Sequence, residues 1–331
     1  MSNTFKALLV IQPEKKVFTR TIVERQIDDL PAGELLVLVH YSSLNFKDAL
    51  SAMGNPGVTR NYPHTPGIDA AGEVLSCSDG SFVPGDQVIV TSYDLGMDTD
   101  GGFGQIIRVP SQWALKLPVG LSLRESMMLG TAGLTAALSI YEIEQGVVKP
   151  EDGPILVTGA TGGVGSLAVA ILAKAGYQVV AATGKMTEAD YLKSIGAADV
   201  IERNDVTQGS ERPMMKPLWA GVVDCVGGEM LAAAIKSTKP GGIVTCCGLV
   251  GSSDLSLNVF PFILRGVRLI GIDSAECPMT HRTEVWRNMA TKWKLTALES
   301  MVEEVGLEGL EDKIQSMLKG GLKRRILVRL S

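Results

Sequence analysis

Val157-Thr158-Gly159-Ala160-Thr161-Gly162-Gly163-Val164-Gly165 joins a predicted strand over 155–158 to a predicted helix over 164–175. Glycines at such a turn let the backbone bend sharply and approach a ligand closely, while the free N–H groups and positive end of the following helix attract a pyrophosphate. In the G-x-G-x-x-G frame Ala160 stands at the first glycine position, ahead of Gly162 and Gly165. The motif alone has little specificity, and an ordinary glycine-rich turn is the competing interpretation. The surroundings decide: a strand before it, a helix after it, and the same alternation repeated downstream. Gly162, Gly163, Val164, Gly165 and Ser166 are therefore candidate dinucleotide contacts.

Outward from the turn, strands are predicted over 178–182, 199–201, 221–226, 243–247 and 267–272, with helices over 188–195 and 229–238. Nearly continuous apolar strands alternating with helices mark βαβ units and a parallel sheet covered on both faces. With 155–158 they complete the strand count of a doubly wound, Rossmann-type α/β domain. Nearer the amino terminus the rhythm differs. Apolar runs over 35–40, 72–75 and 87–91, with turns at Pro84-Gly85-Asp86 and Asp100-Gly101-Gly102, predict a β-rich domain. The tail has helical segments and a strand over 325–330, which predicts a return to that first domain. The expected division is 1–124 with 296–331 for the β-rich domain and 125–295 for the dinucleotide-binding domain, and 331 residues suit two domains.

A site for NAD places an acid near the end of the second strand, where it holds the ribose 2′-hydroxyl. Here that stretch is Ala181-Ala182-Thr183-Gly184-Lys185, with no carboxylate before Glu188. Lys185 offers positive charge where a 2′-phosphate would sit, and Arg203 follows the third strand as a second cation. NADPH is the expected cofactor, with Thr183, Gly184, Lys185 and Arg203 as its contacts; a solvated surface lysine is the alternative for Lys185. Ligands of open α/β sheets lie beyond the carboxyl ends of the strands, so Cys246-Cys247-Gly248-Leu249 and Gly271-Ile272-Asp273-Ser274 are candidates to bracket the nicotinamide. For the paired cysteines, small apolar packing is the competing role.

A net charge of −5 argues against a nucleic-acid surface. The densest basic cluster, Lys323-Arg324-Arg325, adjoins the final strand, so it reads as a strand flank or a local anion contact, with Arg325 a candidate cofactor contact. Five cysteines without C-x-x-C spacing fit neither a disulfide framework nor a closed zinc site, and imply a reducing compartment. His40, His64 and His281 lack metal-like spacing, and no G-x-S-x-G elbow is present. The first ten residues lack the features of a signal peptide and no apolar run is long enough to span a membrane, so a cytoplasmic protein without membrane partners is expected.

Ser42-Ser43-Leu44-Asn45-Phe46-Lys47-Asp48, Pro66-Gly67-Ile68-Asp69-Ala70-Ala71-Gly72, Gly130-Thr131-Ala132-Gly133-Leu134-Thr135-Ala136 and the glycine turn occur in one order along the chain. In this the sequence resembles the medium-chain dehydrogenase/reductase superfamily, in its zinc-free quinone oxidoreductase branch. The resemblance implies that the β-rich domain is GroES-like and catalytic. It implies no metal, since Asn45 stands where the zinc enzymes carry a cysteine ligand and Ile68 where they carry a histidine. It places Asn45 and Thr131 beside the nicotinamide, with helix capping as the alternative for each. The runs 40–50, 261–267 and 271–274 further resemble the acrylyl-CoA reductase (NADPH) subgroup. That implies reduction of the α,β-double bond of acryloyl-CoA, with a quinone or enone as the other acceptor class and a non-catalytic nucleotide-binding protein as the third reading. Asn45 is the candidate oxyanion partner, Tyr41 the candidate proton donor or a core tyrosine, and Arg60 the candidate contact for CoA phosphates or a solvated loop residue. Phe46 replaces a tyrosine expected in many members of the subgroup, which removes one hydroxyl. A homodimer through the edge strand over 267–272 is also implied.

Overall fold

Residues 3–146 and 148–331 are described in the computed structural model. Met1 and Ser2, part of the amino-terminal stretch read above for targeting signals, lie outside them. The chain divides into unit 1 (Met1–Thr131, Ala275–Ala290 and Leu298–Ser331) and unit 2 (Ala132–Ser274 and Thr291–Ala297). Residues 275–290 cluster with unit 1, whereas the sequence runs the nucleotide domain through to 295.

Unit 1 opens with an antiparallel hairpin, β1 (Thr4–Glu14) and β2 (Val17–Gln26), which the sequence patterns above do not anticipate. On β2 Phe18, Arg20, Val23 and Arg25 are half-buried and the others are exposed, so no continuous apolar run announces it. Then follow β3 (Leu35–Leu44), α1 (Phe46–Ala52), β4 (Asp69–Cys77), β5 (Gln87–Thr91), β6 (Ile106–Val109), β7 (Ala114–Lys116) and the start of α2 (Leu123–Gln145). On β3, Leu35, Val37 and Val39 are buried and alternate with half-buried residues, the two-residue period of a strand with one face on a core. That face meets Val88, Val90, Ile326 and Val328 in one apolar cluster. Helix α2 is interrupted at Gly130, whose φ of 54° and ψ of −157° are not helical.

Unit 2 carries β8 (Ile155–Thr158), α3 (Gly163–Lys174), β9 (Val179–Thr183), α4 (Ala189–Ser194), β10 (Asp199–Glu202), α5 (Arg203–Thr207), β11 (Trp219–Asp224), α6 (Gly228–Lys236), β12 (Thr238–Cys246), α7 (Phe260–Arg265) and β13 (Arg268–Gly271). Its six strands run in the order β10-β9-β8-β11-β12-β13, every pairing parallel. That is the doubly wound order 3-2-1-4-5-6, whose reversal lies between β8 and β11. All residues of β8, β9 and β11 are buried, as strands covered on both faces must be.

The chain then adds α8 (Met279–Ala290), β14 (Val302–Gly306), α9 (Leu310–Leu318) and β15 (Arg325–Arg329) to unit 1. Strand β15 pairs antiparallel with β3 and parallel with β14. Among the described residues no helix is long and apolar enough to cross a membrane.

Candidate active site

In unit 2 the glycine turn lies between β8 and α3, at the sheet's reversal. Gly162 is the N-cap of α3, and Gly163, Val164 and Gly165 form its first turn, so their N–H groups have no carbonyl partner within the helix. A Cβ at Gly165 would stand 2.8 Å from Ala160 Cα, so only glycine lets the helix start this close to the strand. Ser166 is buried behind the turn, its N–H donating to Gly162 O at 2.9 Å. Thr158 Oγ1 donates to the buried Asp224 at 2.6 Å, and the same carboxylate accepts from Gly227 N–H at 2.7 Å. Burial raises the Asp224 pKa. This latch between the ends of β8 and β11 had no sequence signal beyond an acid closing an apolar strand.

A cavity of about 330 Å³ opens after β9 and β10, lined by Thr183, Gly184, Met186, Glu202, Arg203 and Asn204. Arg203 lies over Gly184: a Cβ there would be 2.8 Å from its Nη2. Of the two cations expected for a 2′-phosphate, the structure puts Arg203 in this cavity and leaves Lys185 out of its lining. Sequence reasoning missed Glu202, the register partner of Thr183 across β9 and β10, which brings a carboxylate to the same cavity. Cys247, Gly248 and Leu249 follow β12, and Ser274 follows β13, its hydroxyl accepting from Thr135 Oγ1 at 2.8 Å.

In unit 1 a buried ionic cluster surrounds Asn45. Asp69, fully buried, accepts from Ser43 Oγ (2.5 Å), Asn45 Nδ2 (2.8 Å), Thr131 N–H (2.9 Å) and Thr131 Oγ1 (2.6 Å). Arg325 donates to Ser43 Oγ (2.8 Å), Asn45 Oδ1 (3.1 Å) and the carbonyls of Leu44, Leu129 and Met128. Those five contacts use all five guanidinium N–H groups. Arg325 is thus a brace within unit 1 and has no donor left for a cofactor phosphate, which corrects the role expected from its basic neighbourhood. Burial lowers its pKa against the attraction of Asp69 and Asp48.

Asp48 is buried on α1 and accepts from Asn45 N–H at 2.7 Å and Ile68 N–H at 2.8 Å. Burial, then the neighbouring Asp69, pushes its pKa up to about 7. Gly130 closes the cluster: a Cβ would stand 2.5 Å from Asp69 Oδ2 and 2.8 Å from Arg325 Nη2, and its φ is positive as well. Family motifs mark these positions, but no pattern in the sequence announces that they assemble.

The cluster also corrects the role expected of Asn45. Its amide hydrogens are directed at Asp69 Oδ2 and at Ser43 O (3.2 Å), so neither remains to stabilise an oxyanion. Tyr41, half-buried on β3, has a hydroxyl with no hydrogen bond to the described residues. Arg60 is exposed and paired with Asp98 through Nε (3.0 Å) and Nη2 (2.7 Å), which offsets its charge.

Residues 31–119 match the alcohol dehydrogenase GroES-like domain, and residues 163–292 match the zinc-binding dehydrogenase model. The Bacillus subtilis protein YhfP, which carries a quinone oxidoreductase name, is 45% identical over 333 residues, covering 100% of both chains. The chain belongs to the medium-chain dehydrogenase/reductase family. Acrylyl-CoA reductase AcuI of Ruegeria pomeroyi is 42% identical over 325 residues, covering 98% of each. Among solved structures, YhfP with NAD bound has a TM-score of 0.97 at 44% identity, covering 99% of this chain and 100% of that one. The yhdH oxidoreductase of Salmonella enterica in complex with NADP has a TM-score of 0.95 at 39% identity, covering 98% and 100%. Although one matched model is named for zinc, no cluster of three or more His, Cys, Asp or Glu suited to a metal ion occurs among the described residues. Asn45 and Ile68 do not fit zinc at the family's ligand positions.

Proposed function

We propose that this family member is an NADPH-dependent reductase that converts acryloyl-CoA to propanoyl-CoA without a metal. The observation that carries the cofactor choice is Arg203 over Gly184 in the cavity after β9, a planar cation suited to a 2′-phosphate. Gly162, Gly163, Val164, Gly165 and Ser166 would take the bridging phosphates at the amino end of α3, and Thr183, Gly184 and Lys185 the ribose side. Cys247, Gly248, Leu249, Ser274 and Thr131 would flank the nicotinamide. The similarity to AcuI supports the thioester substrate.

When bound, the cofactor supplies a hydride to the substrate β-carbon. Negative charge then gathers on the thioester oxygen, and a proton is added at the α-carbon. The Asp69 and Arg325 cluster holds Asn45 and Thr131 in place, as positioning residues hold a reacting geometry. Tyr41 carries the free hydroxyl for the proton, and Arg60 would meet the CoA phosphates. Tyr41→Phe is expected to lower kcat by about tenfold or more while NADPH affinity stays unchanged. An unaltered kcat would remove Tyr41 from the reaction.

A quinone or enone reductase is the second reading, favoured by the name of YhfP. Comparing kcat/KM for acryloyl-CoA and a quinone series with NADPH decides between them, and a quinone outrunning the thioester would overturn the first. Homodimerisation is expected through β13, the sheet edge, beside the exposed Val259, Phe260, Ile263 and Leu264.

A further inference from the structure

Three of the five cysteines gather at the carboxyl ends of β11 and β12. Asp224 and Cys246 are register partners in this parallel pair, and Cys247 N–H donates to Asp224 O at 3.0 Å, so Cys225 and Cys247 stand opposite each other just beyond the ladder. Neighbouring strands are about 4.8 Å apart, inside the range of about 4.4–6.8 Å between Cα atoms that a disulfide spans. The two sulfurs are already 3.8 Å apart, and the Cys247 S–H has the nearer acceptor Asp224 O at 3.4 Å, which leaves the Cys225 S–H to point at Cys247 Sγ. Cys246 instead packs against the apolar cluster of unit 2. Both residues are half-buried, with the Cys225 thiol itself enclosed, so Cys247 is the one to meet a small oxidant.

We propose that Cys225 and Cys247 are a redox-modification site, closing to a reversible disulfide on exposure to a hydroperoxide. The Cys247 thiolate attacks the peroxide O–O bond, becoming a sulfenic acid and releasing an alcohol, or water from hydrogen peroxide. Cys225 then displaces the sulfenic oxygen as water, so two thiols and one hydroperoxide give one disulfide, one alcohol and one water. The assignment of roles follows from the pair's asymmetry. The bond shared with Cys247, together with burial, holds the Cys225 thiol protonated, which suits the resolving partner. An external dithiol reverses the step by exchange. In a reducing compartment such a bridge is transient.

The test treats the reduced full-length protein with hydrogen peroxide, alkylates the remaining thiols, and maps peptides by mass spectrometry without reduction. The expected result is two fewer alkylated thiols, a Cys225–Cys247 linked peptide, and recovery of both thiols with dithiothreitol. Cys246→Ser should still form the bridge, while Cys225→Ser and Cys247→Ser should not. Oxidation of Cys247 to a sulfinic acid with no linked peptide, a bridge from Cys246, or unchanged thiols would each overturn the proposal. Because Gly248 and Leu249 follow directly, bridged protein should also bind NADPH at least about tenfold more weakly by fluorescence titration. That second arm rests on the cofactor assignment. Failure of reduced protein to bind NADPH counts against the assignment alone, whereas the linked peptide reports on the cysteines alone.

Discussion

The glycine turn of unit 2 and the ionic cluster of unit 1 both present a fixed polar surface, by opposite means. At the turn the groups that face a ligand are backbone N–H groups, and Gly165 matters for the Cβ it lacks. In the cluster the charged and amide groups are side chains whose positions depend on one another: Asp69 on Asn45, Asn45 on Arg325, and Arg325 on the gap left by Gly130. The exposed side chains around a backbone site can be altered with little effect on folding. A buried charge network cannot, because removing one member strands the others in low dielectric.

The largest expected effect follows from that contrast. Asp69→Ala takes the counter-charge from Arg325 and the acceptor from Asn45 and Thr131, and should lower unfolding free energy by about 3–5 kcal/mol in urea denaturation. A loss below about 1 kcal/mol would mean that the cluster is solvated, and the contrast would fail.

Asp48 sharpens the comparison through pH. Its native pKa, about 7, lies above that of an unfolded carboxyl, so between about pH 4 and pH 7 the native protein holds a proton the unfolded chain lacks. The resulting stability is fully present below the unfolded pKa and is lost as pH rises through about 7, with a slope of up to about 1.4 kcal/mol per pH unit. Asp69 and Arg325 are the charged neighbours that share this environment. Asp48→Asn should flatten that slope, at a general cost of about 1–3 kcal/mol, since an amide offers one acceptor to the N–H groups of Asn45 and Ile68. Parallel stability-versus-pH curves for the two proteins would show that Asp48 does not titrate in this range.

The two regions also differ in what the sequence discloses. The parallel strands and the glycine turn were legible because their signals are local: apolar continuity, strand-helix alternation, and glycines at a boundary. Of the hairpin, β2 offers only half-buried and exposed residues and resembles a polar segment, whereas β1 carries an apolar run, Ala7 to Ile11, that the strand patterns above do not include. At the cluster, Ser43, Asn45, Asp48, Asp69, Gly130 and Arg325 come from four places in the chain and meet only through tertiary packing. Arg325 misled because basic sequence neighbours suggest a surface, whereas the residue begins β15 with its side chain buried. Glu202 escaped because it reaches the cavity from β10 as the register partner of Thr183 on β9, a relation that register supplies and spacing does not.

The smallest effects belong to the backbone-built side, where stability should barely change. Arg203→Ala removes the planar cation over Gly184, so NADPH affinity should fall by about 10- to 100-fold, the worth of one or two charge-assisted hydrogen bonds, while NADH affinity is nearly unchanged. Equal weakening of both nucleotides would show that Arg203 shapes the cavity without reading the 2′-phosphate. Glu202→Gln supplies the opposing measurement. Its carboxylate lines the same cavity, so its neutralisation should tighten NADPH a few-fold by lifting like-charge repulsion and weaken NADH by removing an acceptor for the ribose hydroxyl. The NAD complex of YhfP and the NADP complex from Salmonella make this ratio, measured on one protein with two single substitutions, the quantity that separates an arginine reading a phosphate from an acid reading a hydroxyl.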